Sequence, residues 1–212
     1  MSKTTAETIV YPVYKGLYVN LTNRCSCACD FCIRQMATGV GADGNGDDNV
    51  LWLDHEPSFE EVMAAFDEQD MSLYEEVVFC GYGEPTCALE VLKQVAAEVK
   101  RRYQLPVRIN TNGQGCLINE RDICPELAGL VDTVSISLNA PTAQRYQAVV
   151  HSRFGEAAFD AMLDFAREVS AYVPNVVLTT VDTTISHEDE AQCQKICDKL
   201  GVRYRIRAFA DA

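Results

Sequence analysis

The sequence predicts an α/β fold, an incomplete (β/α)6 TIM-like barrel of parallel strands with an open lateral side. Three observations predict it. The hydrophobic period alternates between two and 3.6 along the chain, giving six strand–helix units in series. Serial units of this kind imply parallel strands joined by right-handed crossovers. One face is polar on four of the six strands, whereas a sheet buried under helices on both sides reads as nearly continuous apolar strands. Six strands also fall short of the roughly eight that close a barrel.

The elements follow in order. A first strand over 17–22 sets Tyr18, Asn20 and Thr22 opposite Leu17, Val19 and Leu21. A helix over 59–69 is announced by Ser58 with Glu61 three residues on, the capping-box pattern. Strand 77–80 and helix 88–103 form the next unit. Strand 106–110 puts Arg108, Asn110 and Asn112 opposite Val107 and Ile109 and ends in the turn Thr111-Asn112-Gly113. Residues 120–130 read as a helix despite Pro125. Strand 133–139 carries Thr133, Ser135, Ser137 and Asn139 on one face and Val134, Ile136 and Leu138 on the other. Helix 156–172, strand 176–181 and helix 188–200 follow, with Gly201 as the helix stop. A last strand over 202–209 sets Arg203, Arg205 and Arg207 opposite Val202, Tyr204 and Ile206.

Residues 1–212 read as one domain, with a Gly/Asp-rich insertion at 35–57 that follows the cysteine cluster and could serve as a lid. The net charge of −13 opposes binding to a polyphosphate backbone, so nucleic acid is not an expected partner. No apolar run reaches the roughly 20 residues that span a bilayer, so no membrane is expected. The N-terminus has no apolar signal-peptide core. Ten cysteines, six of them crowded into 25–32 and 80–87, then imply a reducing cytoplasm and metal binding or catalysis.

The stretch Asn20-Leu21-Thr22-Asn23-Arg24-Cys25-Ser26-Cys27-Ala28-Cys29-Asp30-Phe31-Cys32 follows the first strand, on the side of a barrel where active sites sit. Several thiolates on one loop suit zinc or an iron–sulfur cluster. A structural zinc site wants two ligand pairs, and no second C-x-x-C pair follows. Three thiolates on a [4Fe–4S] cluster leave one iron open. Cys27 shares the loop and is a rival ligand, treated as a spare because it crowds Cys25.

The spacing C-x-x-x-C-x-Φ-C, met by Cys25, Cys29, Phe31 and Cys32, resembles the radical S-adenosylmethionine (SAM) signature. The resemblance implies that these cysteines hold a [4Fe–4S] cluster whose open iron chelates SAM through its amino and carboxylate groups. Electron transfer to the sulfonium then yields methionine and a 5′-deoxyadenosyl radical, which abstracts hydrogen from a substrate. Phe31 is expected against the adenine. The run Gly81-Tyr82-Gly83-Glu84-Pro85 after the second strand resembles the family's GGEP motif, which binds the methionyl amine, with Tyr82 replacing the second residue. Asn110 and Asn112 on the third strand, Ser137 and Asn139 on the fourth, and Arg207 on the sixth are further expected SAM contacts. Arg205 and Arg207 could alternatively meet an anionic substrate.

Within the superfamily the chain looks like the short TatD-family-associated proteins, on the segments 17–25, Leu51-Trp52-Leu53, 79–86 and 137–141. That resemblance implies a TatD-family hydrolase as a candidate partner. A flavodoxin or ferredoxin is the expected electron donor. Two other classes fit the same motifs: an activase that abstracts hydrogen from a partner enzyme's glycine, and a non-catalytic iron–sulfur or zinc module. Cys193, Ile196, Cys197 and Leu200 form a helical core stripe. Cys116 and Cys124 lack a compact ligand spacing, so no second cluster is expected there. Cys80 and Cys87 flank the glycine motif with no assigned role.

Overall fold

A computed structural model describes residues 9–35 and 51–208. Residues 36–50, the centre of the expected insertion, lie outside the described residues, as does the end of the expected last strand. Seven strands make one open sheet in chain order: β1 (Val10–Val13), β2 (Gly16–Val19), β3 (Glu76–Phe79), β4 (Val107–Thr111), β5 (Thr133–Ser137), β6 (Asn175–Val181) and β7 (Arg203–Arg207). Strands β2 to β7 are parallel, as expected, and β1 and β7 are its two edges.

β1 corrects the all-parallel expectation. It pairs antiparallel with β2 across the short turn at Tyr14-Lys15. Its four residues include Pro12, whose missing N–H cannot feed a ladder, and this hides the strand from a pattern reading. An edge is where such a strand is tolerated.

The helices α1 (Phe59–Asp67), α2 (Leu89–Arg102), α5 (Ala157–Val169) and α6 (His187–Leu200) stand where the period-3.6 segments place them. Ser58 and Glu61 form the full capping box of α1, and Ser186 caps α6, which ends at Gly201 in a left-handed conformation. Two differences arise between them. The segment 120–130 is no helix. A short α3 (Gly115–Asn119) ends at left-handed Glu120, and a 3-10 turn, Cys124–Leu127, starts anew around Pro125. A helix absent from the sequence reading, α4 (Ala143–Val150), is capped by Thr142.

The helices cover one face of the sheet. Leu17, Val19, Val77, Phe79, Val107, Ile109, Val134, Ile136 and Leu178 are buried with Phe66, Leu92, Met162 and Phe165. Each fully buried side chain of this size contributes about 1.5–3 kcal/mol. The opposite, concave face is polar, as expected, because each strand alternates with period two. The register sets Asn110 beside Ser135, Ser137 beside Thr179, and Thr179 beside Arg205. Among the described residues no helix is long and apolar enough to cross a membrane.

Candidate active site

The cysteine loop leaves the C-terminal end of β2 and is tied down along its length. Ala28 and Asp30 donate their amides to the Val150 and Val149 carbonyls at the end of α4, at 3.0 and 3.1 Å. Arg153 donates its amide to the Ser26 carbonyl at 2.9 Å, and Glu84 to that of Arg24 at 2.8 Å. The Arg34 guanidinium reaches the carbonyls of Asn23 and Cys27 at 3.2 and 3.3 Å. His151 Nε2 pairs with Asp30 Oδ1 at 2.8 Å. Arg24 makes two bonds to the Glu56 carboxylate, at 2.6 and 2.8 Å.

Cys25, Cys29 and Cys32 are half-buried on this loop, whereas Cys27 is buried. Cys27 Sγ accepts from Gln114 Nε2 at 3.2 Å and Asn112 Nδ2 at 3.6 Å. Hydrogen bonding to Cys27 and burial push the Cys25 thiol well above its ordinary range. Cys27 is pushed up to about 12: its bond to Cys25 opposes the shift, but the bond to Cys29 and burial outweigh it. Phe31 is half-buried in the turn just before Cys32.

Gln114 is the residue that sequence reasoning missed. It is 1% exposed, and its amide uses every site it has. Nε2 donates to Cys27 Sγ and to Tyr146 Oη at 3.0 Å, and Oε1 accepts from Ser26 and Ser152 hydroxyls at 2.8 and 2.9 Å. The one sequence signal is its position directly after the polar turn Thr111-Asn112-Gly113.

The glycine motif lies beside this loop. A side chain at Gly83 would overlap the Thr22 carbonyl, and one at Gly81 would overlap the Asn20 side chain, so both glycines let β3's end pack against β2's. Glu84 is 3% exposed and accepts four bonds: from Thr86 N at 3.1 Å, Thr86 Oγ1 at 2.7 Å, Thr111 Oγ1 at 2.7 Å and Asn112 N at 2.7 Å. Burial raises its pKa, and the Asn112 amide leads the bonds that oppose the rise. Asn112 completes the link, donating Nδ2 to Ser26 Oγ at 2.9 Å.

The Tyr82 ring points into the protein. It is 5% exposed in a small second core with Tyr11 and Leu51, and it meets Trp52 edge-on at 5.1 Å. Residues 51–57, the described end of the Gly/Asp-rich insertion, are held against the cysteine loop and the end of β2. The Asn20 and Asn23 amides donate to the Leu51 and Leu53 carbonyls at 2.7 Å each, so these side chains act as a substitute sheet edge and bury both leucines.

Farther along the sheet the polar residues are not satisfied internally. Among the described residues Asn110 Oδ1, Asn139 Oδ1, Arg108 Nε and Arg207 Nε are buried with no hydrogen-bond partner. Asn139 is 3% exposed and left-handed (φ 58°), just beyond Ser137 at the end of β5. Burial lowers the Arg207 pKa, and the Cys80 thiol, Tyr18 and Arg108 all act on it electrostatically. Buried polar groups are nearly always paired, so unpaired ones on adjacent strands mark a place for a polar ligand. Lower on the same face, Arg108, Thr133, Ser135, Val177, Arg203 and Arg205 line a cavity of about 280 Å³.

A sequence model of the radical SAM superfamily matches residues 19–200. The chain belongs to that superfamily. Radical SAM proteins use a [4Fe–4S] cluster and SAM, and the residues present fit both. Four of the eight residues 25–32 are cysteines, the ligand type that holds such clusters. The unpaired atoms of Asn110, Asn139 and Arg207 offer an acceptor-and-donor set to a polar cofactor. The chain is 27% identical over 192 residues to the tungsten-containing aldehyde ferredoxin oxidoreductase cofactor-modifying protein of Pyrococcus furiosus, covering 89% of this chain and 49% of that protein. It thus spans about half the length of this curated relative. In structure it resembles Streptococcus suis SuiB bound to its precursor peptide SuiA (TM-score 0.65, 15% identity, 96% of this chain, 41% of that one). It also resembles a radical SAM methyltransferase from Sphaerobacter thermophilus (TM-score 0.60, 15% identity, 93% of this chain, 67% of that one). These likenesses establish the open partial barrel.

Two further cysteine pairs behave differently from one another. Cys193 and Cys197 are fully buried in α6, the core stripe the sequence predicts. Cys116 and Cys124, apart in sequence, meet in the loop after β4, contrary to expectation.

Proposed function

We propose that this chain is a radical SAM enzyme in which Cys25, Cys29 and Cys32 hold the [4Fe–4S] cluster. When bound there, such a cluster would supply one-electron reductive cleavage of SAM, the chemistry by which hydrogen would be taken from a substrate. The observation that carries this reading is the set of unpaired polar atoms on Asn110, Asn139 and Arg207, contributed by the ends of three strands on the same concave face as the cysteine loop.

The chain's own residues divide the work. Gly81 and Gly83 offer backbone groups to the methionyl amine, and the Tyr82 ring anchors that backbone by packing. Glu84 accepts three bonds on Oε1 and one, from the Asn112 amide, on Oε2, so Oε2 keeps an acceptor site for the methionyl amine while its neighbours fix its orientation. Phe31 faces the adenine, Asn112 holds the cysteine loop, and Ser137 with Asn139 meets the ribose or carboxylate. Arg207 meets an anionic group of SAM or of the substrate. With Arg108, Arg203 and Arg205 it makes the concave face locally positive in a chain of net charge −13, which favours a substrate bearing a carboxylate or phosphate. A flavodoxin or ferredoxin would supply the electron. Kinship with the TatD-associated proteins, and a TatD-family hydrolase as partner, rest on the motif resemblance.

The test is anaerobic. Reconstituted protein with dithionite and SAM releases 5′-deoxyadenosine above a Cys32→Ala control, read by chromatography. No release, even with cell extract as a substrate source, refutes the reading.

A further inference from the structure

The loop after β4 carries a thiol–carboxylate cluster that the cofactor site does not use. Cys116 sits in the first turn of α3. Left-handed Glu120 then reverses the chain, and the Arg121 amide returns to the Cys116 carbonyl at 3.2 Å. This reversal lays Asp122 and Cys124 over Cys116. Cys116 Sγ stands 3.9 Å from Asp122 Oδ1, and the two sulfurs and the carboxylate oxygen all lie within 4.8 Å of one another. Among the described residues this is the one place where three such ligand atoms gather so closely.

The spacing suits a single small ion. Zinc–sulfur bonds of about 2.3 Å and zinc–oxygen bonds of about 2.0–2.2 Å at tetrahedral angles set ligand atoms roughly 3.5–3.8 Å apart. The 3.9 Å contact therefore needs almost no adjustment. The surroundings are those of a ligand shell. The Cys124 amide donates to Asp122 Oδ1 at 2.9 Å and fixes that carboxylate, and the Ile123 amide points at the Cys116 sulfur. Asp122 has no ion pair among the described residues, although most other charges in this part of the chain are paired. Cys124 is fully buried, Cys116 half-buried and Asp122 exposed, so the fourth position of a tetrahedron would face solvent.

We propose that Cys116, Asp122 and Cys124 form a zinc site, with water as fourth ligand, that staples the loop following β4. Binding releases the two thiol protons to solvent and changes no oxidation state. The loop has little regular structure to hold it, only a five-residue α3 and a 3-10 turn. Its first residues, Asn112 and Gln114, hold the cysteine loop. The staple would fix the foundation of the cofactor site without touching the cofactor.

Zinc content decides the matter independently of SAM chemistry. The Cys25→Ala/Cys29→Ala/Cys32→Ala chain removes rival thiolates, and the cluster-loaded wild type serves beside it. Both are expected to keep one zinc per chain after gel filtration. Asp122→Asn weakens zinc at least tenfold in competition with a chromophoric chelator, and Cys116→Ser/Cys124→Ser abolishes binding. If that double variant does not fold, cobalt replaces zinc in the triple-alanine chain, where thiolate-to-cobalt absorption must appear and must weaken in Asp122→Asn. Zinc retained by a folded double variant overturns the proposal. So does a triple-alanine chain that takes up no zinc, or anaerobic alkylation mapping that finds a Cys116–Cys124 disulfide in place of the metal.

Discussion

The seat of the cysteine loop and the concave face beside it are both polar and both hold buried polar atoms, yet they differ in how their hydrogen bonds are met. Around the loop every polar group named has a partner: Gln114 uses all four of its sites, and Glu84 accepts four donors. On the neighbouring strands Asn110, Asn139 and Arg207 each leave a buried atom unpaired. The first region is a scaffold complete in itself. The second is preorganised for a ligand, because orientation of unpaired dipoles and charges has already been fixed by folding. A buried network that is fully satisfied rigidifies, while unpaired groups cost stability that only binding recovers.

The contrast can be broken by experiment. The largest effect belongs to the ligands themselves. Alanine at Cys25, Cys29 or Cys32 abolishes cluster content, whereas Cys27→Ala retains it, because Cys27 is buried and bonded into the scaffold. Iron and sulfide analysis after anaerobic reconstitution checks this, and full content in Cys29→Ala would refute it. Next, Gln114→Ala strands Ser26, Ser152, Tyr146 and Cys27 and lowers the unfolding free energy by about 1–3 kcal/mol. Cluster retention falls with it. Denaturant melts at unchanged stability would show that the seat is not a scaffold.

The ligand-facing region predicts the opposite sign. Arg207→Met removes a half-buried charge that has no carboxylate partner among the described residues, so it raises stability by about 1 kcal/mol while weakening SAM or an anionic ligand at least tenfold. Arg203→Met, on the same face but exposed at the other end of β7, brings no such gain. A destabilised Arg207→Met with undiminished SAM affinity would erase the distinction between the regions. The smallest effect lies outside both. Arg121 and then Lys93 hold Glu126 down at about 2 from an ordinary 4.5. Its contribution is therefore present above pH 4.5 and is lost as pH falls through 2. In the triple-alanine background, where cluster loss does not enter, Glu126→Gln should flatten the decline of stability over that window. An unchanged slope counts against the pairing.

Much of the fold was legible in the sequence because its causes are local. Period-two strands with a polar face, Ser58 with Glu61, and Gly201 at a helix end each act within a few residues. The cysteine spacing that carries the family resemblance was legible for the same reason, since a loop of eight residues, 25–32, holds all of it. The helix expected over 120–130 failed where local preference was ambiguous. Left-handed Glu120, Pro125 and left-handed Gly129 divide that segment into separate turns.

What tertiary structure alone decided are the contacts between residues far apart in the chain. Gln114 meets Ser26 across 88 positions and Tyr146 across 32, Asn20 receives Leu51 across 31, and Tyr82 finds its place only when Trp52 returns to it. Cys116 and Cys124 needed a left-handed reversal to meet. Hydrophobic periodicity tells which side of a strand faces the core, because burial acts on each residue singly. It does not tell which polar group on the other side will find a partner, because a hydrogen bond depends on the positions of two residues at once.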